Sequence, residues 1–133
     1  MEISNIHFRH GELQEIETVE KAWGTELIVS RVPHGAKIMV LKPGEQVSLH
    51  FHVFKTESFI LIDGGLIIKT ITKAGEEEEF NLSSKFSSIT IDRLTPHTFH
   101  CPDGQEEPTI FIEASTYDDP EDSYRIYPSG PRK

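Results

Sequence analysis

Short runs of β-branched and aliphatic residues alternate along this chain with clusters of Gly, Pro and Asp, a turn signal about every eight to twelve residues. The clearest strands are Leu27-Ile28-Val29, Lys37-Ile38-Met39-Val40-Leu41, Phe59-Ile60-Leu61-Ile62, Leu66-Ile67-Ile68, Ser88-Ile89-Thr90-Ile91 and Thr109-Ile110-Phe111-Ile112. Turns are expected at Pro33-His34-Gly35, Lys42-Pro43-Gly44, Asp63-Gly64-Gly65, Ala74-Gly75 and Pro102-Asp103-Gly104, where Pro presets φ and Gly supplies positive φ. No long stretch keeps a helical period, and one short helix is expected between His7 and Lys21. Glu76-Glu77-Glu78-Glu79, between two strand runs, reads as a solvated hairpin end. The pattern is that of an all-β sandwich or barrel, without internal repeat or linker.

The length of 133 residues fits one domain over 1–133, with a core from about 19 to 116 and a tail from 117 to 133. That tail, with two Pro and one Gly in its last six residues, is expected to wrap the surface or a partner subunit. Lys and Arg number 13 against 22 Asp and Glu, a net charge of −9, which argues against nucleic acid as a general partner. The single Cys101 cannot form an intrachain disulfide and is expected as a small buried hydrophobe. Met1-Glu2-Ile3-Ser4-Asn5 lacks the basic and apolar regions of a signal peptide, and no apolar run is long enough to span a bilayer. A soluble, cytoplasmic protein with no membrane partner is the expectation. Seven His are the unusual feature of the composition.

Their placement is informative. His50 and His52 are two apart, so on a strand both imidazoles leave the same face. Glu57 lies an odd number of residues from both, so it joins them only if Val53 to Thr56 form a turn or bulge that resets the face. Glu57, Phe59 and Leu61 would then point inward, with Ser58, Ile60 and Ile62 outward. That outward face is apolar, which calls for a covering sheet or a homodimer partner. Two His and a carboxylate meeting at one point suit a divalent transition metal such as Zn, Mn, Fe or Ni. A fourth ligand would come from His97 or His100, which a strand sends to opposite faces. His7, His10 and His34 read as ordinary surface or hydrogen-bonded residues, and Trp23 as core.

The segment from Gly44 to Gly64 resembles the first motif of the cupin superfamily, Gly-x5-His-x-His-x3-4-Glu-x6-Gly, at every fixed position: Gly44, His50, His52, Glu57 and Gly64. The second cupin motif matches only at its His, which aligns with His97; Phe86, Asp92, Leu94 and Cys101 stand where the family has Gly, Pro, Gly and Asn. The resemblance implies a single-domain double-stranded β-helix (jelly-roll barrel). It also implies one metal held by His50, His52, Glu57 and His97, with about two coordination positions open. Lys21-Ala22-Trp23-Gly24, Val40 to Glu45 and Tyr117 to Ile126 are similar to the cupin domain of type II mannose-6-phosphate isomerases. That family has Gln at the position of His50, a basic residue at that of Thr98, and often a fused nucleotidyltransferase domain. His50-Phe51-His52 followed by Lys55 and Glu57 also resembles free-sugar isomerases on the same fold, such as D-lyxose isomerase.

Both resemblances imply aldose–ketose chemistry on a small carbohydrate, and they differ on whether a phosphate is recognised. The reaction needs a Lewis acid on the substrate oxygens and a base to move a proton between carbons. Lys55, His100 and Glu45 are the candidate bases, Lys55 on condition of a lowered pKa. Arg31, Arg93 and Arg125 are candidate anchors for phosphate or hydroxyl groups. A non-haem iron dioxygenase and a non-enzymatic binder of metal or small ligands are the competing expectations.

Overall fold

The computed structural model describes residues 13 and 15–132, so His7 and His10 lie outside the described residues. Among the described residues there are thirteen strands and no helix. They are β1 (Glu17–Lys21), β2 (Gly24–Ser30), β3 (Gly35–Leu41), β4 (Glu45–Gln46), β5 (Leu49–Phe51), β6 (Glu57–Asp63), β7 (Leu66–Ile71), β8 (Glu77–Leu82), β9 (Ser88–Ile91), β10 (His97–His100), β11 (Thr109–Ser115), β12 (Tyr124–Tyr127) and β13 (Gly130–Pro131). In β3, β6, β7 and β11 buried and half-buried positions alternate, as the period-two hydrophobic pattern dictates.

The strands pair antiparallel into two sheets. One runs β1-β2-β3-β11-β6-β9. The other runs β12-β5-β10-β4-β13, with β7 also paired to β10 and β8 to β7. Their inner faces meet in one core: Met39, Leu41, Phe59, Leu61, Ile91 and Phe111 from the first sheet, Leu66, Ile68, Leu82 and Phe99 from the second. Phe59, Phe99 and Phe111 pack edge-on or tilted with centroids 5.2 to 5.6 Å apart, each burial contributing about 2–3 kcal/mol. Cys101 belongs to this core, its thiol donating to Leu41 O at 3.4 Å. This is the expected all-β jelly-roll barrel.

Three expectations change. The described part of the proposed helix is strand β1, which pairs with β2 across the tight Ala22-Trp23 turn. Glu77 to Glu79 are not a hairpin end; they sit on β8 opposite Ile71, Thr70 and Lys69, solvated along an edge strand. The turn is earlier, closed by Gly75 N–H donating to Thr72 O at 2.9 Å. The tail is part of the barrel, since β12 pairs with β5 and β13 with β4. No helix among the described residues is long and apolar enough to cross a membrane. Ser58, Ile60 and Ile62 do lie on the outer face of β6, half-buried beside β11 and β9.

Candidate metal centre

The ligand set is assembled by two strand pairings and one crossing between sheets. β10 lies beside β5 with His97 directly opposite His50, and the two rings stand 4.5 Å apart. His52 follows β5 on the same face, 4.9 Å from His50 and 5.6 Å from His97 by ring centroid. Residues 53–56 then leave the second sheet and enter the first as β6, which resets the face as anticipated and brings Glu57 inward. His97 Nε2 and His52 Nε2 lie 2.6 and 3.5 Å from Glu57 Oε1. One donor atom from each of His50, His52, Glu57 and His97 falls within 4.8 Å of all the others. The ring of Phe59 lies 6.3 Å from that of His97.

The hydrogen bonds fix which nitrogens face the centre. Nδ1–H donates to a backbone carbonyl in all three: His50 to Ser48 O at 2.7 Å, His52 to Asp122 O at 2.5 Å, His97 to Thr95 O at 2.9 Å. With the proton assigned to Nδ1 by these partners, each Nε2 presents a lone pair. Burial, aided by His97, lowers the His50 pKa to about 3, so its ring is neutral at physiological pH. Burial alone would raise Glu57, but its contacts with His52 and His97 and the charge of Lys55 hold it well below the usual carboxylate range. Both Glu57 oxygens and His97 Nε2 are buried without a hydrogen-bond partner. Lys55 Nζ approaches Glu57 Oε2 at 3.3 Å. With the imidazole protons on Nδ1, however, the His52 and His97 Nε2 lone pairs face Glu57 Oε1 with no proton between them, a repulsion that a cation at the centre would relieve. The donor set fits a divalent transition metal.

Beside the centre lies a cavity of about 470 Å³. Its wall carries a buried charge network not foreseen from the sequence. Lys55 Nζ lies 3.0 Å from Asp118, 3.3 Å from Glu57 and 3.4 Å from Glu113. Lys37 Nζ lies 3.3 Å from Asp118, 3.5 Å from Glu26 and 3.9 Å from Glu113. Arg31 pairs with Asp118 at 2.5 Å. Burial, reinforced by Glu57, pushes the Glu113 carboxyl up to about 8. Burial would lower Lys55, but Glu113, Glu57 and Asp118 outweigh it and hold the ammonium above its ordinary pKa. Asp118, which burial would raise, is held low by Lys55 and Lys37. A signal for two of these residues was present: Lys37 shares the inward face with Met39 and Leu41, and Glu113 with Thr109 and Phe111.

Of the sequence-derived candidates, Lys55, Arg31 and Arg125 line the cavity, and Glu45, Arg93 and His100 do not. His100 is the correction with the simplest cause: the pleat that turns His97 and Phe99 inward turns His100 outward, where Nδ1 donates to Cys101 O at 2.7 Å. Glu45 sits on β4 opposite Pro131, and Arg93 is exposed in the turn before β10. Lys55 is buried beside Glu57, yet its pKa moves opposite to what a base would need. Trp23 is buried in the core and also borders the cavity.

The glycine positions of the motifs are accounted for by backbone. Gly44 and Gly64 have φ of 80° and 84°. Phe86 and Leu94, which stand where the second motif has Gly, keep the left-handed backbone at φ 69° and 67°. Leu94 N–H donates to His52 O at 2.6 Å, so this turn bears directly on a ligand.

No protein-family model and no curated protein matches the sequence. Among solved structures, the capsular polysaccharide assembling protein CapF from Staphylococcus aureus aligns with a TM-score of 0.75 and 18% identity, over 93% of this chain and 33% of CapF. The oxalate decarboxylase of Bacillus subtilis at pH 4.6 aligns with a TM-score of 0.70 and 17% identity, over 88% of this chain and 33% of that one. The oxalate decarboxylase formate complex from Lactobacillus farciminis gives 0.69 and 15%, over 88% and 38%. The chain spans about a third of the length of these proteins, and at such identities the likeness is one of fold.

Proposed function

We propose that this chain, which has the cupin fold, is a metal-dependent isomerase or epimerase acting on a sugar, of the aldose–ketose type. The observation that carries the reading is that His50, His52 and Glu57 of the four-residue ligand set line the same cavity as the buried Lys55–Glu113 pair. The four ligands would hold one Zn, Mn, Fe or Ni ion, which when bound supplies a Lewis acid for hydroxyl and carbonyl oxygens. Glu113, with its pKa near 8, is suited to take a proton from one substrate carbon and return it to the next. It replaces Glu45 and His100 in that role. Lys55, held protonated, serves as a donor to the substrate oxygen.

The cavity wall also bears on the substrate. Lys37, Lys55 and Arg31 are each paired with carboxylates, so the wall alternates donors and acceptors in the way sugar hydroxyls require. A phosphate would depend on Arg125, which has no ion pair among the described residues, at the exposed rim. This favours a free sugar over its phosphate. A homodimer, read as twice the 15.1 kDa chain by light scattering, belongs to the same proposal.

The test is NMR in deuterated water with metal-loaded protein and a panel of aldoses and their phosphates. Ketose formation or C2 exchange is expected, and Glu113→Gln should slow it by about 10²–10⁴-fold. No conversion across the panel by protein shown to hold its metal would overturn the proposal. Dioxygen uptake by the Fe(II) form would favour an oxygenase instead.

A further inference from the structure

The three imidazoles of the metal centre are oriented from different places. His50 and His97 use the carbonyl two residues back, just before their own strands, Ser48 O and Thr95 O. His52 donates instead to Asp122 O, 70 positions further along the chain. The carboxylate of the same Asp122 accepts the amides of Val53 at 2.8 Å and Phe54 at 3.1 Å. One buried residue of the C-terminal segment thus makes three hydrogen bonds to the ligand His52 and the peptide after it.

That segment is itself held against β5. Asp122 N–H donates to Asp119 O at 2.9 Å. Tyr124 stacks on Phe51 with centroids 5.3 Å apart and planes 19° from parallel, and Arg125 pairs opposite His50. Phe51 separates the two His ligands in sequence, so the outer side of β5 is gripped by the tail while its inner side presents the imidazoles.

We infer that the C-terminal segment completes the metal centre, with Asp122 as a positioning residue for His52. This rests on reading the His/Glu cluster as a metal site. Without the carboxylate, the Val53 and Phe54 amides lose their acceptors and the turn between β5 and β6 loosens. His52 then loses the fixed carbonyl that keeps its Nε2 aimed at the other ligands. Outer partners of metal-bound His are worth about 10–100-fold in metal affinity. The coupling is reciprocal: whatever docking of the tail adds to metal affinity, the metal adds to docking.

The experiment measures Zn(II) and Co(II) affinity by chelator competition in the full chain, its Asp122→Ala variant and its Asp122→Asn variant. The Co(II) absorption spectrum and metal-free thermal melts are recorded alongside. Asp122→Ala should bind about 10–100-fold more weakly, with altered Co(II) bands, in protein that is still folded without metal. Asp122→Asn keeps one carbonyl oxygen for an amide and should recover part of the affinity and the native spectrum. It also serves as the reporting variant should the alanine form fail to fold. Added Zn(II) should slow amide exchange across 119–127 in the wild type and not in Asp122→Ala. Affinity within twofold of wild type and an unchanged Co(II) spectrum in a folded variant overturn the inference alone. A wild type that takes up neither ion overturns the metal-centre reading, and this inference with it.

Discussion

Two groups of buried polar side chains border the same cavity, and they are finished to different degrees. In the charge network of Arg31, Lys37, Lys55, Glu113 and Asp118 every ion faces an opposite charge at 2.5 to 3.9 Å. In the His/Glu cluster, Lys55 lies 3.3 Å from Glu57 Oε2, but among the described residues both Glu57 oxygens and His97 Nε2 lack a hydrogen-bond partner. Leaving such a group buried and unmatched costs about 1–3 kcal/mol, more when it is charged. The first group is balanced within the chain. The second needs something from outside the chain, and the chemistry of its donors says what. His100 limits the lesson: its Nε2 is also buried and unpartnered, but among the described residues no other ligand atom converges on it. An unmatched atom marks a site only in company.

Substitutions should separate the two groups cleanly. The largest effect is expected from His97→Ala, which should bring metal content to background while the metal-free melting temperature stays near that of the wild type. Metal retention by that variant would break the comparison. Lys37→Met should do the reverse. Removing one partner of a buried ion network costs about 3 kcal/mol, so denaturant unfolding should shift strongly while metal affinity stays within a few-fold.

An acid titration of the metal-free protein comes next. Folded His50 stays neutral down to about pH 3, whereas its unfolded counterpart protonates near 6.5. As pH falls through that window the unfolded state binds more protons, so stability is full above 6.5 and declines towards 3. His50→Gln should flatten the slope by about one proton, and an unchanged slope would contradict the burial assigned to this ring. A smaller gain is expected from Leu94→Gly, which frees an exposed side chain from the left-handed region and should stabilise the fold by about 1 kcal/mol. Glu45→Gln and Arg93→Ala, both outside the cavity, should leave metal affinity and turnover within twofold.

Much of the fold could be read along the chain because burial in a barrel writes a period of two into the sequence. Each of the six strands expected from apolar runs is present, and β9 even keeps its ends at Ser88 and Ile91. The strands that escaped lack that record. β1 and β8 are edge strands with mostly exposed side chains, and β12 is exposed throughout, so no hydrophobic alternation marks them. His50, His52 and Glu57 were legible for a related reason, since two same-face His and a Glu beyond a turn are local spacings, whereas only the cupin motif singles out His97 from His100. The charge network was not, because Lys37 and Glu113 meet through the register of β3 and β11, and Lys55 and Asp118 reach them from the connections after β5 and β11. Asp122 was equally hidden, since its partner His52 lies 70 positions away.

The central claim is that the His50/His52/Glu57/His97 cluster is a metal site. Elemental analysis of protein purified without chelator, followed by titration of the stripped chain with Zn, Mn, Fe and Ni, tests it most directly. One ion per chain is the predicted result, lost in Glu57→Ala. A wild type that is purified empty and takes up none of the four ions would contradict it.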